Sequence, residues 1–169
     1  MSKKIEALKQ KVLQAQESSD LAALYVLQEE AYELFDEDTL SGFFANILDL
    51  ALENLTNALE ACVKLDTKDV QDFATLRALY EYAMEHYHAG AIKDASALFE
   101  VLSGITDDEL FSRALTYHYK ASENGIDLDT FMDEYADMEL TQANNTFYIS
   151  CFSKKAQKLL SIEKNIAEK

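Results

Sequence analysis

The chain has 169 residues, of which 49% are hydrophobic and 27% are charged, and its formal net charge is −16. Proline is absent and glycine occurs only four times, which argues against long loops and against a sheet that needs many tight turns. The excess of acidic side chains repels phosphate groups, so we expect no nucleic-acid partner and no membrane partner. These numbers favour one all-helical domain over residues 1–169.

The N-terminal part, residues 1–65, is predicted to form three helices. Apolar residues recur there at spacings of three and four, which is the pattern of an amphipathic helix. The predicted helices are one through Ala15, one over 21–34 and a long one over 38–62. Capping residues at Ser18 to Asp20 and at Asp36 precede the second and third helices.

The rest of the chain is predicted to form antiparallel helical hairpins. A fourth helix is expected at about 69–88. Three glycines follow it at positions where a left-handed residue would end or join helices. They are Gly90, Gly104 and Gly125. A C-terminal helix is expected within 143–169, at about 143–166, which gives about seven or eight helices in all.

An internal repeat is visible in the C-terminal two-thirds. Residues 82–90 align with residues 117–125 at a separation of 35 positions. Periods of this size are typical of stacked helical hairpins, in which each hairpin covers the apolar face of its neighbour. We therefore expect a hairpin array over 69–138.

Charge is distributed unevenly along the chain. Residues 1–11 carry four Lys and one Glu, residues 12–63 contain eleven acids and no base, and residues 154–169 carry five Lys and two Glu. Two interpretations remain open. The body can be a solvated acidic surface against which the basic ends are held, or it can steer a basic or amphipathic partner segment toward a groove.

Residues 76–107 resemble a tetratricopeptide repeat. That repeat has small residues where its two helices cross closely and a large residue that fills the gap. The matching residues are Leu79, Tyr82, Ala83, Tyr87, Gly90, Ala95, Phe99 and Leu102. A second unit keeps Tyr117 and Gly125. The resemblance implies a TPR-like array of hairpins.

Within the repeat superfamily, the run 75–80 together with 87–90, Ala95 and Phe99 resembles the opening repeat of the class II chaperones of type III secretion. Those are small, acidic, cytosolic, all-helical proteins that hold a segment of a translocator in a concave groove before export. Flagellar-export chaperones are a related class. The resemblance implies a protein client, helical or extended, and the acidic residues of the chain favour a basic one. The implied partner-binding residues are Arg77, Tyr80, Met84, Tyr87, His88, Leu115 and Tyr119.

The residues themselves leave two interpretations of this face open. Tyr80, Met84 and Tyr87 are spaced three and four apart, with Arg77 one turn earlier, so they share one side of a helix. Such a stripe often packs into a core. It also suits recognition, because tyrosine offers a rigid apolar plate with a polar tip and methionine adapts its shape.

Catalytic and metal-binding patterns are weak. Glu85 and His88 have the Glu-x-x-His spacing of di-iron bundles, but a second such pair is missing. The sequence also lacks a phosphate-binding glycine loop and a nucleophile elbow. We expect the histidines to be polar or half-buried, and we expect no metal and no cofactor. Asp127, Asp129 and Asp133 are expected to begin a helix rather than to bind calcium.

Two further features predict a cytoplasmic protein. The charged start of the chain, Met1 to Glu6, has no apolar run of the kind that a signal peptide needs. Cys62 and Cys151 lie far apart, which favours reduced, buried thiols over a disulfide.

We therefore expect a non-catalytic protein-binding module rather than an enzyme, acting as a cytosolic chaperone or co-chaperone for a secreted or flagellar-export client. One alternative is a structural or adaptor protein that forms a homodimer through its terminal helices. A lesser alternative is a metal-dependent helical-bundle enzyme that uses Glu85 and His88.

Overall fold

The computed structural model describes residues 2–159 and confirms the all-α fold. An isolated antiparallel bridge joins Ala136 and Phe152. The helices are α1 Ser2–Glu17, α2 Leu21–Val26, α3 Gln28–Leu34, α4 Glu37–Ala61, α5 Val70–His88, α6 Ile92–Ile105, α7 Glu109–Glu123, α8 Leu128–Thr130 and α9 Met138–Asn144. A π-helical turn, Phe131–Tyr135, continues α8, and a further helical stretch covers 154–159.

The chain divides into two compact units, Met1–Ala78 and Leu79–Lys169. In the first unit, α1 packs against α2 and α3, and both of these contact α4. The apolar faces predicted from the helical spacing form the core of this unit. Its members include Leu8, Leu21, Leu24, Ala31, Phe43, Ile47 and Ala51.

Aspartate side chains cap five of the helices. Each accepts a hydrogen bond from the backbone N–H three residues later, as an N-cap residue does. The five are Asp20, Asp36, Asp108, Asp127 and Asp137. The predicted helix starts at Asp20 and Asp36 are confirmed, and so is the capping role of Asp127.

In the second unit, aromatic rings join α5, α6 and α7. Phe99 of α6 lies 6.3 Å from the ring of Tyr80 and 5.8 Å from the ring of Tyr87, centroid to centroid. Phe111 of α7 lies 6.2 Å from the ring of Tyr80. Since α5 ends at His88 and α6 begins at Ile92, the predicted helical hairpin is present.

The turns after α5 and α7 share one backbone geometry. Gly90 and Gly125 have positive φ angles of 87° and 77°. The residue after each glycine, Ala91 or Ile126, donates a backbone hydrogen bond to the carbonyl five residues earlier, at 2.9 and 3.0 Å. This is the Schellman pattern of helix ends. The 35-residue period of the sequence therefore recurs in the backbone.

Three helix predictions are corrected. The helix expected over 21–34 is divided at Leu27, where α2 ends and α3 begins. Gly104 lies inside α6 and joins nothing. The long helix expected at 143–166 is interrupted, because α9 ends at Asn144 and residues 145–153 are irregular. Residues 160–169 of that prediction lie outside the described part of the chain.

The interruption has a physical cause. Asn145 adopts the left-handed conformation, with φ 54°, which asparagine tolerates better than most residues. The following residues, 146–152, are rich in β-branched and aromatic side chains that form helices poorly. Thr141 then holds this segment, because its hydroxyl oxygen accepts hydrogen bonds from the backbone N–H groups of Ser150 and Cys151 at 3.3 and 3.2 Å.

The cysteines differ in part from expectation. Both are free thiols, but Cys62 is exposed and Cys151 is half-buried. Cys62 follows α4 as its C-cap in the left-handed conformation, which places its side chain outside the core. Among the described helices, none has both the length and the apolar character to cross a bilayer.

Candidate functional site

The structure separates the seven residues that were expected to contact a partner. Arg77 lies half-buried in the first unit, and the other six belong to the second. Tyr80, Tyr87 and Leu115 are buried. Of the remaining three, Met84 and Tyr119 are half-buried and His88 is exposed. The side of α5 that carries Tyr80 and Tyr87 is therefore packed into the core at both tyrosines, which agrees with the interpretation of this stripe as a core face.

Tyr80 is held by a buried chain of hydrogen bonds. Its hydroxyl lies 2.8 Å from Nε2 of His118 and accepts a hydrogen bond from the backbone N–H of Ile149 at 3.0 Å. Nδ1 of His118 lies 2.7 Å from the carbonyl oxygen of Ala114. Because a carbonyl only accepts, Nδ1 carries the proton and Nε2 accepts the proton of Tyr80. These hydrogen bonds join α5, α7 and the irregular segment 145–153.

Burial sets the protonation states of Tyr80 and His118. Loss of solvent lowers the pKa of His118 to about 4, against a smaller opposing effect of the hydrogen bond to Ala114. Burial also raises the pKa of Tyr80 well above its usual value. Both side chains are therefore neutral near pH 7. The expectation of polar or half-buried histidines is wrong for His118, which is fully buried.

Tyr87 is likewise a structural residue. Its hydroxyl donates a hydrogen bond to the carbonyl oxygen of Ile126, just beyond the Gly125 turn. Burial, with the nearby charge of Asp127, raises the pKa of Tyr87 above its usual value. The phenol ring packs between Phe99 and Phe131, with centroid distances of 5.8 and 6.0 Å. Tyr87 thus ties two helix turns together.

One exposed apolar surface of the first unit lies at the start of α5. Val70 and Phe73 are 68% and 40% exposed, and they lie three apart on the face that continues to Arg77. Together with α2 and the loop before α5, they line a groove of about 260 Å³, here called the α2–α5 groove. Its lining residues are Ala22, Tyr25, Thr67, Lys68, Val70, Phe73, Ala74 and Arg77.

One glutamine fastens the two walls of the α2–α5 groove. The side-chain amide of Gln71 donates to Oδ1 of Asp20 at 2.6 Å, and its carbonyl oxygen accepts from the backbone N–H of Ala22 at 3.3 Å. Asp20 also caps α2 through the N–H of Ala23 at 3.0 Å. Gln71 therefore holds the first turn of α2 against α5.

An aromatic ring and a cation form one end of the groove. The guanidinium carbon of Arg77 lies 4.3 Å from the centroid of the Tyr25 ring, a cation–π contact. Arg77 is thus an expected binding residue that lines an open apolar groove.

The sequence contained a weak signal for this groove. Val70, Phe73 and Arg77 share one side of the predicted fourth helix, but an exposed apolar side chain cannot be distinguished from a core residue by helical spacing alone.

The second unit contains a larger and more polar pocket, here called the α7 pocket, of about 480 Å³ between α7 and the segment 144–157. Tyr117 and Phe152 form a stacked pair within its lining, with centroids 4.1 Å apart and planes at 22°. Tyr148 lies beside them, 4.6 Å from the ring of Phe111.

The proposed metal-binding pair remains incomplete in the part of the chain that the structure describes. Glu85 and His88 are both exposed on α5. No group of three or more His, Cys, Asp or Glu side chains that could hold a metal ion occurs among residues 2–159. The acidic run after Gly125 instead begins a helix through Asp127, whose pKa is lowered by its hydrogen bonds with Thr130.

In comparisons with known proteins, no protein-family model, no curated protein and no solved structure matches this chain.

Proposed function

We propose that the chain is a non-catalytic protein-binding module whose α2–α5 groove holds an apolar side chain from a basic amphipathic segment of a partner protein. The observation that carries the proposal is the exposure of Val70 and Phe73 beside the Arg77–Tyr25 contact. Large apolar side chains that line a concave surface are typical of recognition sites.

Burial of apolar area supplies the affinity. Covering a valine or phenylalanine side chain contributes about 1.5–3 kcal/mol when the burial is complete. The groove volume of about 260 Å³ suits one large apolar side chain. Because Gln71 fixes α2 against α5, the groove is formed before the partner arrives, and little ordering cost is added on binding.

The charge around the groove favours a basic partner, although the two charged side chains of its lining, Lys68 and Arg77, are cations. Residues 12–63 of the first unit contain eleven acids and no base. Three more aspartates, Asp66, Asp69 and Asp72, alternate with the groove residues of the loop and of the first turn of α5. Such a surface speeds the approach of a basic segment and disfavours an acidic one.

The finer proposal is that the partner is a secreted or flagellar-export client and that the chain is a cytoplasmic chaperone or co-chaperone for it. The acidic charge, the helical hairpins with TPR-like turns and the resemblance of residues 76–107 support it. Binding in the groove would then cover apolar client surface before export.

Site-specific photocrosslinking tests the proposal. A photoreactive phenylalanine analogue replaces Phe73 in one variant and Leu140, an exposed leucine of the second unit, in the control. We expect the first variant to capture, in its native cell, segments that combine apolar residues with Lys or Arg. Adding Val70→Ser should reduce that capture several-fold. Equal capture at both positions, or capture of acidic segments, would contradict the proposal.

A second candidate function is self-association through α1. Leu13 and Val26 are exposed, and Val26 borders an open pocket of about 410 Å³ between α1 and α2. This surface fits the adaptor alternative. Sedimentation equilibrium separates the candidates: an adaptor dimerises and dissociates on Leu13→Ser with Val26→Ser, whereas the groove proposal requires no dimer.

A further inference from the structure

The α7 pocket has the chemistry of a ligand site. Leu110, Arg113 and Tyr117 recur on one side of α7 and form one wall, as the helical spacing requires. Tyr148 and Phe152 contribute to the facing wall. A volume of about 480 Å³ lies within the range of small-molecule sites, roughly 300–1,000 Å³.

Flat apolar surfaces make up the interior of the α7 pocket. The stacked rings of Tyr117 and Phe152 present an aromatic plate, and Tyr148 adds a half-buried ring. Leu110 is 75% exposed at the rim. These surfaces suit the apolar body of a ligand that is aromatic or branched.

Two hydrogen-bond donors in the α7 pocket have no partner within residues 2–159. They are the guanidinium of Arg113 and the hydroxyl of Tyr148. The neighbouring polar groups, by contrast, are engaged with one another: Thr146 donates to the carbonyl of Tyr148, at 2.7 Å, or to the hydroxyl of Ser150, at 2.9 Å. An arginine and a phenol hydroxyl that line one pocket can both donate to an acceptor there, and an arginine prefers a charged acceptor that it can bind through two N–H groups.

The local charge differs from that of the molecule. Residues 140–159 carry three lysines and no acid, although the whole chain has a net charge of −16. Of these lysines, Lys155 pairs with Glu134 at 2.6 Å, and Lys154 and Lys158 lie on the same helical stretch as the pocket residue Gln157. The segment that forms one wall of the pocket is thus locally basic.

An acidic neighbour limits the charge of the ligand. Burial, followed by the charge of Asp108, raises the pKa of Tyr148 above its usual value, so its hydroxyl keeps its proton and can donate. The same carboxylate opposes negative charge in the pocket, and a dianion meets more of this repulsion than a monoanion does. A monoanion therefore fits better than a phosphate dianion.

We propose that the α7 pocket binds a small amphipathic monocarboxylate. Its carboxylate is held by Arg113 and Tyr148, and its aromatic or branched body lies against the Tyr117–Phe152 plate. This inference is independent of the α2–α5 groove, since no residue of either site belongs to the other.

Isothermal titration of the full chain tests the inference with 3-phenylpropionate, its neutral amide 3-phenylpropionamide and phenyl phosphate as probes. We expect saturable binding of the carboxylate, at least tenfold weaker binding of the amide and weaker binding of the phosphate ester. Arg113→Met should lose at least tenfold in affinity, and Tyr148→Phe should lose about threefold to tenfold. Lys93→Met, which removes an exposed cation of α6, is the matched control and should bind as the unchanged protein does.

Three results would overturn the inference. They are equal affinity for acid and amide, unchanged affinity in Arg113→Met, and absence of saturable binding for both 3-phenylpropionate and the branched probe 4-methylpentanoate. Arg113 is exposed, so its replacement should leave the fold intact, and circular dichroism of each variant checks this.

Discussion

Among single residues, Tyr80 is central to the second unit because of the hydrogen bonds of its hydroxyl. It joins Nε2 of His118 to the backbone N–H of Ile149. All three groups are buried, so each needs its partner. Helical spacing placed Tyr80 on one side of a helix but did not show that its hydroxyl forms hydrogen bonds in the interior.

Replacing Tyr80 with Phe tests this role. The change keeps the ring but leaves an unpaired nitrogen on His118 and an unpaired N–H on Ile149, so we expect the free energy of unfolding to fall by about 2–4 kcal/mol. Urea denaturation measures it. The control is Tyr82→Phe, since the hydroxyl of Tyr82 makes no hydrogen bond within residues 2–159; a loss of similar size there would contradict the account.

His118 should make stability depend on pH. Its pKa falls from 6.5 to about 4 on folding, so between these values the unfolded chain binds a proton that the folded chain does not. Stability is therefore lost as pH decreases from about 6.5 toward 4, by up to about 3 kcal/mol. Above pH 6.5 this residue contributes no slope.

Urea denaturation at several pH values between 5 and 6.5 isolates this effect. The carboxyls of Asp36 and Asp127 titrate lower, because hydrogen bonds with Thr39 and Thr130 lower their pKa values. His118→Gln should flatten the slope, and His88→Gln, at an exposed position of α5, should keep it. A slope that survives the first change and disappears with the second would refute the assignment.

At the scale of elements, Gln71 determines how α2 meets α5. Gln71→Ala removes both hydrogen bonds to the first turn of α2, and we expect the first unit to lose about 1–2 kcal/mol. Urea denaturation again provides the measurement. Gln10→Ala, at an exposed position of α1, is the matched control. Equal stability of the two variants would show that the hydrogen bonds of Gln71 do not stabilise the first unit.

The end of α4 contains a strained residue. Cys62 has φ 54°, a conformation that costs about 1–2 kcal/mol for an L-residue and little for glycine. Cys62→Gly should therefore raise the free energy of unfolding by about 0.5–1 kcal/mol, after the entropy that glycine adds to the unfolded chain is subtracted. Cys62→Ala removes the thiol but keeps Cβ, and a gain of the same size there would point to the thiol rather than to the backbone.

At the scale of the molecule, the sequence predicted the helices better than the connections between them. The caps at Asp20, Asp36 and Asp127 and the turns at Gly90 and Gly125 have local causes, and they were predicted correctly. The break at Asn145 was missed, because the spacing of Phe152, Leu159 and Ile166 continues a helical pattern across it. The hydrogen bonds to Thr141 that hold the irregular segment are tertiary, and helical spacing does not reveal them.

The candidate site was predicted only in part. Arg77 lines the α2–α5 groove, whereas Tyr80, Tyr87 and Leu115 are core residues. Helical spacing shows which residues share a side of α5, but it does not show which side is covered. That depends on the neighbouring elements, such as the aromatic rings of α6 and α7 that cover Tyr80 and Tyr87.

The central claim is that a partner segment binds in the α2–α5 groove, and nuclear magnetic resonance tests it most directly. The isotopically labelled chain is titrated with a synthetic peptide that has the sequence captured by photocrosslinking. The account predicts that the amide signals of Ala22, Tyr25, Val70 and Phe73 shift on binding, and that Phe73→Ser weakens the affinity at least tenfold. Shifts confined to other surfaces, with unchanged affinity in Phe73→Ser, would contradict it.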